Sequence, residues 1–270
     1  MVTDYLPINK GVPQGTILGP IIFSVMVNDI QALHPSQNVL VKYADDLTLS
    51  IPVGDGYDDN ADGEVQNIAA WADNNRMVLN LDKTWEMVLS GKSSKPLPDP
   101  IQGIKRRDWL KLLGVTFQDK PCVWDKHFQH MIGKACGRLY ILRVCKFYGY
   151  SKEDLHLLFN SLIMSVFYFA IEVWACAYDT KYLGQIDNFF RRAYKFGYTS
   201  KQYKINEIIE ERDRKMWDDM IGNSSHPLNM LLPMTRSRAL RPREHNFVLP
   251  KISTERFKRT FINRCLFKSV

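Results

Sequence analysis

Val39-Leu40-Val41-Lys42-Tyr43-Ala44-Asp45-Asp46-Leu47-Thr48-Leu49-Ser50-Ile51 sets two short apolar, β-branched runs on either side of two adjacent aspartates. The pattern predicts a β-hairpin with the carboxylates at its turn. Two anions side by side repel, and neither Lys42 nor any other nearby residue neutralises both. A divalent cation would. Carboxylate oxygens suit Mg2+, which takes few protein ligands and completes its octahedron with water and substrate phosphates. An Asp-Asp pair is also common in solvated turns, but apolar flanks put this one at the tip of a buried element.

Upstream runs Lys10-Gly11-Val12-Pro13-Gln14-Gly15-Thr16-Ile17-Leu18-Gly19-Pro20-Ile21-Ile22-Phe23, preceded by a short predicted strand at residues 5–9. Gly11 and Gly15 permit backbone conformations and close approaches that a side chain would block, and Pro13 stiffens the turn between them. A helix follows, because Ile17, Ile21 and Val25 recur at i+4, as do Leu18, Ile22 and Met26.

The glycine turn and the hairpin, in that order and at that spacing, resemble motifs B and C of the reverse transcriptases of non-LTR (LINE-type, Jockey-like) retrotransposons. The resemblance implies an α+β fold: a partial polymerase palm over residues 1–118, a helical thumb-like region over 119–222 and an irregular basic tail over 223–270. It implies that Asp45 and Asp46 hold Mg2+ for catalysis, and that Gly11, Pro13, Gln14, Gly15, Tyr43 and Ala44 line the nucleotide and template side. Met77-Val78-Leu79-Asn80-Leu81-Asp82-Lys83-Thr84, leading into a strand through Trp85-Glu86-Met87-Val88-Leu89, resembles motif D. Lys83 would match its catalytic lysine near the leaving pyrophosphate; by itself it reads as a surface lysine. Leu113-Gly114-Val115, within a predicted strand at residues 109–117, resembles motif E, the primer grip. The implied partners are an RNA template, a DNA primer and deoxynucleotide triphosphates.

Two-metal nucleotidyl transfer needs a third carboxylate, which the family carries on a palm strand upstream of motif B. Asp4 does not sit in a matching context. The expectation is therefore an RNA-directed DNA polymerase by descent, lacking that acid and the fingers and inactive alone. The alternative is a non-catalytic nucleic-acid-binding remnant. A helical structural protein with a fortuitous acidic hairpin would leave the glycine turn unexplained.

The 270 residues carry a net charge of +7, unevenly spread: residues 1–120 balance at −4 and residues 121–270 at +11. An acidic half followed by a basic half suits a metal site joined to a polyanion-binding surface. Five cysteines with no close pair read as free thiols in a reducing compartment. Cys122, His127, His130 and Cys136 match no zinc-finger spacing and fall among helical apolar positions. Residues 54–63 imitate half an EF-hand, but Ala69 stands where the closing Glu belongs, which rejects calcium. Asp62 is expected instead to cap the next helix, with Val65, Ile68, Ala69 and Trp71 as its apolar face. No cleavable signal sequence is evident. The most apolar stretch, residues 157–178, is broken by Asn160, Ser161, Ser165 and Glu172 and reads as a buried helix, not a membrane span.

Lys105-Arg106-Arg107 reads as a solvated cluster or a phosphate contact. From Trp124 the period turns helical: Trp124, Phe128, Met131, Ala135, Leu139 and Leu142 form one face, with Lys126, Lys134, Arg138 and Lys146 left for the other. Ser151 with Asp154 predicts a capping box opening a second helix. Further helices are expected at 181–196, whose tail carries Arg191, Arg192 and Lys195 as nucleic-acid backbone contacts, and at 205–220. The last fifty residues show no period and read as a tail ordered on nucleic acid.

Overall fold

The structure is a computed structural model describing residues 15–53, 60–90, 96–121, 123–176, 180–236 and 245–268. It is an α+β chain that divides into two compact units, Met1–Asp108 and Trp109–Val270. The division falls ahead of the segment that resembles motif E, which packs within the second unit.

In the first unit, α1 (Gly19–Met26) precedes the antiparallel strands β1 (Val39–Tyr43) and β2 (Asp46–Ser50), then α2 (Ala61–Asn74). Leu40 pairs with Leu49 and Lys42 with Leu47, so Leu40, Leu47 and Leu49 share one face. That face closes a small core with Val27, Ile30, Ile68, Phe23, Met26 and Trp71. Trp71 Nε1 donates to Asp29 Oδ1 at 3.1 Å, tying α2 to the chain after α1. The predicted α1 exists, but its i+4 strip is not its buried side. Ile17, Ile21 and Val25 are 91%, 58% and 71% exposed, while Phe23 and Met26 face the core.

Asp62 does not cap α2. The helix starts one residue earlier, and Asp62 Oδ1 accepts from the Gln102 amide at 3.1 Å. The strand expected through Leu89 shortens to β3 (Trp85–Glu86), paired in parallel with β4 (Lys105–Arg106). Arg106 grips Glu86 through two bonds of 2.6 and 3.0 Å and donates to the carbonyls of Pro98 and Asp99. Arg107 stacks over Trp85 at 4.2 Å. Of the Lys105-Arg106-Arg107 cluster, Arg106 is thus spent on internal contacts, while Lys105 and Arg107 remain exposed to solvent.

The second unit opens with a hairpin where a single strand was expected: β5 (Trp109–Leu112) and β6 (Val115–Gln118). Leu113 and Gly114 form its two-residue turn, with φ of 45° and 89°. Positive φ at both central residues is the type I′ pattern, whose twist matches that of the strands. Next come α3 (Asp125–Phe147), α4 (Lys152–Leu158), a π-helical turn (Phe159–Met164), α5 (Ser165–Tyr168), α6 (Ile171–Trp174), α7 (Thr180–Lys195) and α8 (Ile205–Gly222).

The predicted face of α3 is its buried one: Phe128, Ala135 and Leu142 are wholly enclosed. They pack with Phe159, Phe167, Ile171, Trp174, Ile186 and Phe190. Ser151 caps α4 as expected, accepting from the Asp154 amide at 3.1 Å and donating to its carboxylate at 2.7 Å. Arg138 reaches the π turn and donates to the Leu162 carbonyl at 2.5 Å. None of the helices among the described residues is long and apolar enough to cross a membrane.

The C-terminal residues are not an irregular tail throughout. Two further helices, α9 (Glu255–Lys258) and α10 (Phe261–Lys268), follow an isolated bridge between Thr235 and Phe247. Leu266 is fully buried, and Arg264 forms a bidentate pair with Asp213 on α8 at 2.6 Å for each bond. Burying an apolar side chain and pairing an otherwise buried aspartate fix the segment without any ligand. Arg238, Arg241 and Arg243 lie outside the described residues.

Candidate active site

The acidic hairpin forms at its predicted position. Tyr43 pairs with Asp46, leaving Ala44 and Asp45 as the two-residue turn. Ala44 has φ 51°, the positive value that both common hairpin turns require at their first central residue. The β-branched and leucine-rich flanks supply strand propensity and core contacts strong enough to hold an alanine there.

Alternation along β2 puts Asp46 on the face opposite Leu47 and Leu49, beside Tyr43, Val41 and Val39. Asp45 and Asp46 are exposed. Among the described residues neither has an ion-pair partner.

Lys42 does not answer the aspartates. Its side chain lies on the core face, and Nζ donates to the carbonyls of Val27, Asn28 and Ile30 at 3.1, 2.8 and 2.9 Å. These oxygens sit just past the C-terminus of α1, where helix carbonyls lack partners and the dipole is negative. A buried-stem lysine thus clamps the hairpin to the end of the helix that follows the glycine turn.

Sequence reasoning missed Glu64. Its carboxylate is wholly buried in the first turn of α2. It accepts from the amides of Leu33 and His34 at 2.8 and 2.9 Å and from Asn38 Nδ2 at 2.6 Å. Burial pushes its pKa up. The bonds from Leu33, Asn38 and His34 together outweigh that, and the net shift is downward. Glu64 pins the loop that delivers β1. A glutamate three residues into a helix reads only as a partner for the dipole, so no local signal betrayed it.

Gly15 takes φ 78°, which a side chain would resist, and among the described residues nothing approaches within 4 Å of where its Cβ would be. The need shown there is conformational. Gly11, Pro13 and Gln14 lie outside the described residues. Lys83 ends a 3-10 turn, Leu81–Lys83, capped by Asn80, which accepts from its amide at 3.2 Å. Its side chain is exposed and is joined to neither Asp45 nor Asp46 by a hydrogen bond or ion pair.

In the second unit, Leu113, Gly114 and Val115 turn the β5–β6 hairpin, and Phe169 covers it. A Cβ on Gly114 would stand 2.9 Å from Phe169 Cε1. Arg191, Arg192 and Lys195 are all exposed in the last turns of α7.

Zinc finds no cage among the described residues, where no three His, Cys, Asp or Glu side chains converge. His127 is buried, and its Nδ1 accepts from the Thr116 amide at 3.3 Å. Burial, with some help from His130, pulls its pKa down to about 4, so the ring is neutral. Cys136 is exposed, and Cys122 lies outside the described residues.

The oxygen donors at the hairpin fit a hard divalent cation. Two carboxylates are short of the set that a pair of metals needs.

Comparison with known proteins finds similar sequences. Residues 3–117 match the family described as reverse transcriptase (RNA-dependent DNA polymerase), which spans both the glycine turn and the acidic hairpin. The similarity extends to the RNA-directed DNA polymerases of two mobile elements. It is 29% identical over 151 residues to a probable RNA-directed DNA polymerase from transposon BS of Drosophila melanogaster, covering 49% of this chain and 16% of that protein. It is 28% identical over 139 residues to the RNA-directed DNA polymerase from mobile element jockey of the same organism, covering 46% of this chain and 15% of that one. The matches thus span well under a fifth of these relatives' length. No solved structure matches.

Proposed function

We propose that this chain carries the motif B to motif E part of an RNA-directed DNA polymerase, with Asp45 and Asp46 as two of the carboxylates that hold catalytic Mg2+. Bound there, Mg2+ would acidify the primer 3′-hydroxyl and stabilise charge on the leaving pyrophosphate. The observation that carries the reading is the hairpin itself: two exposed, unneutralised carboxylates on a tight bend, clamped by Lys42 to the end of the helix that follows Gly15. The substrates by this reading are deoxynucleotide triphosphates, and the partners are an RNA template and a DNA primer.

Each residue has a part. Gly15, with Gly11, Pro13 and Gln14, shapes the turn on the nucleotide and template side; Tyr43 and Ala44 position the carboxylates. Lys83 places a cation near the departing pyrophosphate. Leu113, Gly114 and Val115 support the primer end, and Arg191, Arg192 and Lys195 contact the nucleic-acid backbone. The domain assignment that goes with this is a partial palm to about residue 118, a helical thumb-like region to 222 and a C-terminal basic segment.

A third carboxylate has to come from beyond the described residues. One observation supports a further strand on the outer face of the hairpin. Val39, Val41 and Tyr43, on the same side as Asp46, are 58%, 53% and 64% exposed, an apolar strip that a neighbouring strand would cover. A primer-extension assay on the purified chain tests the reading. The expected result is little or no synthesis in Mg2+. Robust Mg2+-dependent synthesis would show that two carboxylates suffice. Magnesium-independent nucleic-acid binding, unchanged by Asp45→Asn with Asp46→Asn, would favour the non-catalytic binding reading.

A further inference from the structure

The ends of α3 and α7 meet in the second unit. Lys146 Nζ donates to the Phe196 carbonyl at 2.6 Å and lies 5.6 Å from the Tyr198 ring. Residues 140–152 and 191–201, the stretches around this junction, contain seven Lys or Arg and no Asp or Glu. That local balance equals the net charge of the entire chain.

The same stretches expose aromatic rings. Phe147 and Tyr148 are 85% and 75% exposed and meet edge to face at 5.5 Å. Tyr140, Tyr150, Tyr194 and Phe196 are each at least 46% exposed. Tyr140, Arg143 and Phe147 fall at i, i+3 and i+7, so rings and a cation share one strip of α3. Arg191, Tyr194 and Lys195, at i, i+3 and i+4, likewise set a ring between cations on α7.

Internal structure does not account for this composition. Lys146 serves the C-terminus of α7, where a cation is favourable. Arg143 and Arg192 have no acidic partner among the described residues, and Arg191 donates only to Asn188 at 2.8 Å. Lys152 stands at the first position of α4, where the helix dipole opposes a cation. The nearest acids, Glu153 and Asp154, follow it in α4, and Asp154 is engaged with Ser151. Exposed rings cost solvation free energy unless something covers them.

We propose that the joined ends of α3 and α7 form a binding surface for single-stranded nucleic acid, with Phe147, Tyr148 and their neighbouring rings stacking on unpaired bases and Arg143, Arg191, Arg192 and Lys195 meeting phosphates. The proposal deepens the backbone-contact reading of Arg191, Arg192 and Lys195 and rests on it for those charges alone. Unpaired bases are the occupant because a duplex hides the faces that these rings would stack on, whereas every splayed base offers one. Arg143, Arg191, Arg192 and Lys195, which have no acidic partner among the described residues, supply the complementary charge.

Fluorescence anisotropy of the full chain with a labelled oligouridylate, and with an RNA duplex of equal length, tests this. Phe147→Ala with Tyr148→Ala is expected to weaken single-strand binding at least roughly tenfold while leaving duplex binding within about twofold. Arg191→Ala, Arg192→Ala and Lys195→Ala together are expected to flatten the salt dependence of single-strand binding by roughly 2 log–log slope units. Both ring positions are largely exposed, and an unchanged thermal unfolding curve confirms that the variants fold. Loss of binding in the charge variant alone would overturn the stacking surface and leave the backbone contacts standing. Loss in the ring variant alone would support stacking and remove those contacts. No change in either would overturn both. Ring-dependent binding to phosphatidylserine vesicles without binding to the oligonucleotide would assign the surface to a membrane instead and overturn the proposal.

Discussion

Replacing Glu64 by glutamine should release the loop that feeds the acidic hairpin. Oε2 accepts one backbone amide, and Oε1 accepts a second amide and the Asn38 side chain. Glutamine keeps one acceptor oxygen. Whichever way its amide turns, the NH2 group faces a buried donor. At least one charge-assisted bond is lost and a donor is stranded, which costs about 2–4 kcal/mol. Among the described residues the main core cluster of this unit has three buried apolar side chains, Val27, Ile30 and Ile68. Against the marginal stability usual for a small domain, the loss is a large fraction of the whole. Hydrogen exchange read by mass spectrometry should show protection of peptides over residues 33–50 fall toward that of an unfolded chain, with peptides from α3 and α7 unchanged.

The pH dependence follows from the same bonds. The folded-state pKa of Glu64 is lowered, so its contribution is present above the unfolded carboxylate value, about 4.3, and is lost as pH falls through the folded value. Protection over residues 33–50 should accordingly decline below about pH 4 in the native chain and lose that dependence in Glu64→Gln. Unchanged protection in the variant at neutral pH would refute the clamp.

Gly114→Ala should destabilise the second unit by about 1–3 kcal/mol, since φ 89° is strained for alanine and its Cβ meets Phe169. Adding Phe169→Ala should recover only the steric part, and calorimetric melting of the single and double variants separates the two. Arg264→Ala should leave Asp213 buried and unpaired, costing about 3–5 kcal/mol and freeing α10. Limited proteolysis should then cut between residues 245 and 268 in the variant but not in the native chain. Lys42→Met should strand three carbonyls beyond α1 and uncouple the hairpin from it, read as faster amide exchange in β1 with α8 unaffected.

The acidic hairpin was legible because alternation, strand propensity and a short polar turn coincide within thirteen residues. The buried face of α3 was legible from period alone, and the Ser151 cap from two residues. The β5–β6 turn was hidden because leucine is a poor candidate for positive φ, so Leu113 read as part of one strand. The Arg264–Asp213 pair joins positions fifty-one residues apart. No local pattern announces such a contact, and an arginine-rich stretch without period therefore read as a tail. The i+4 strip of α1 taught the opposite lesson: periodicity predicted the helix correctly but could not say that Ile17, Ile21 and Val25 would be exposed. That Lys42 leaves the aspartates unneutralised was legible from the sequence; its destination, the carbonyls of Val27, Asn28 and Ile30, was not, because that contact joins positions twelve to fifteen residues apart.

The central claim, that Asp45 and Asp46 form a divalent-cation site, is tested most directly by titrating the chain with Mn2+ and following backbone amide signals by NMR. Paramagnetic broadening should begin at residues 43–48, be relieved by excess Mg2+ and vanish in the variant carrying Asp45→Asn and Asp46→Asn. Sharp signals over those residues at Mn2+ concentrations that broaden other acidic stretches, Glu153 and Asp154 among them, would contradict it.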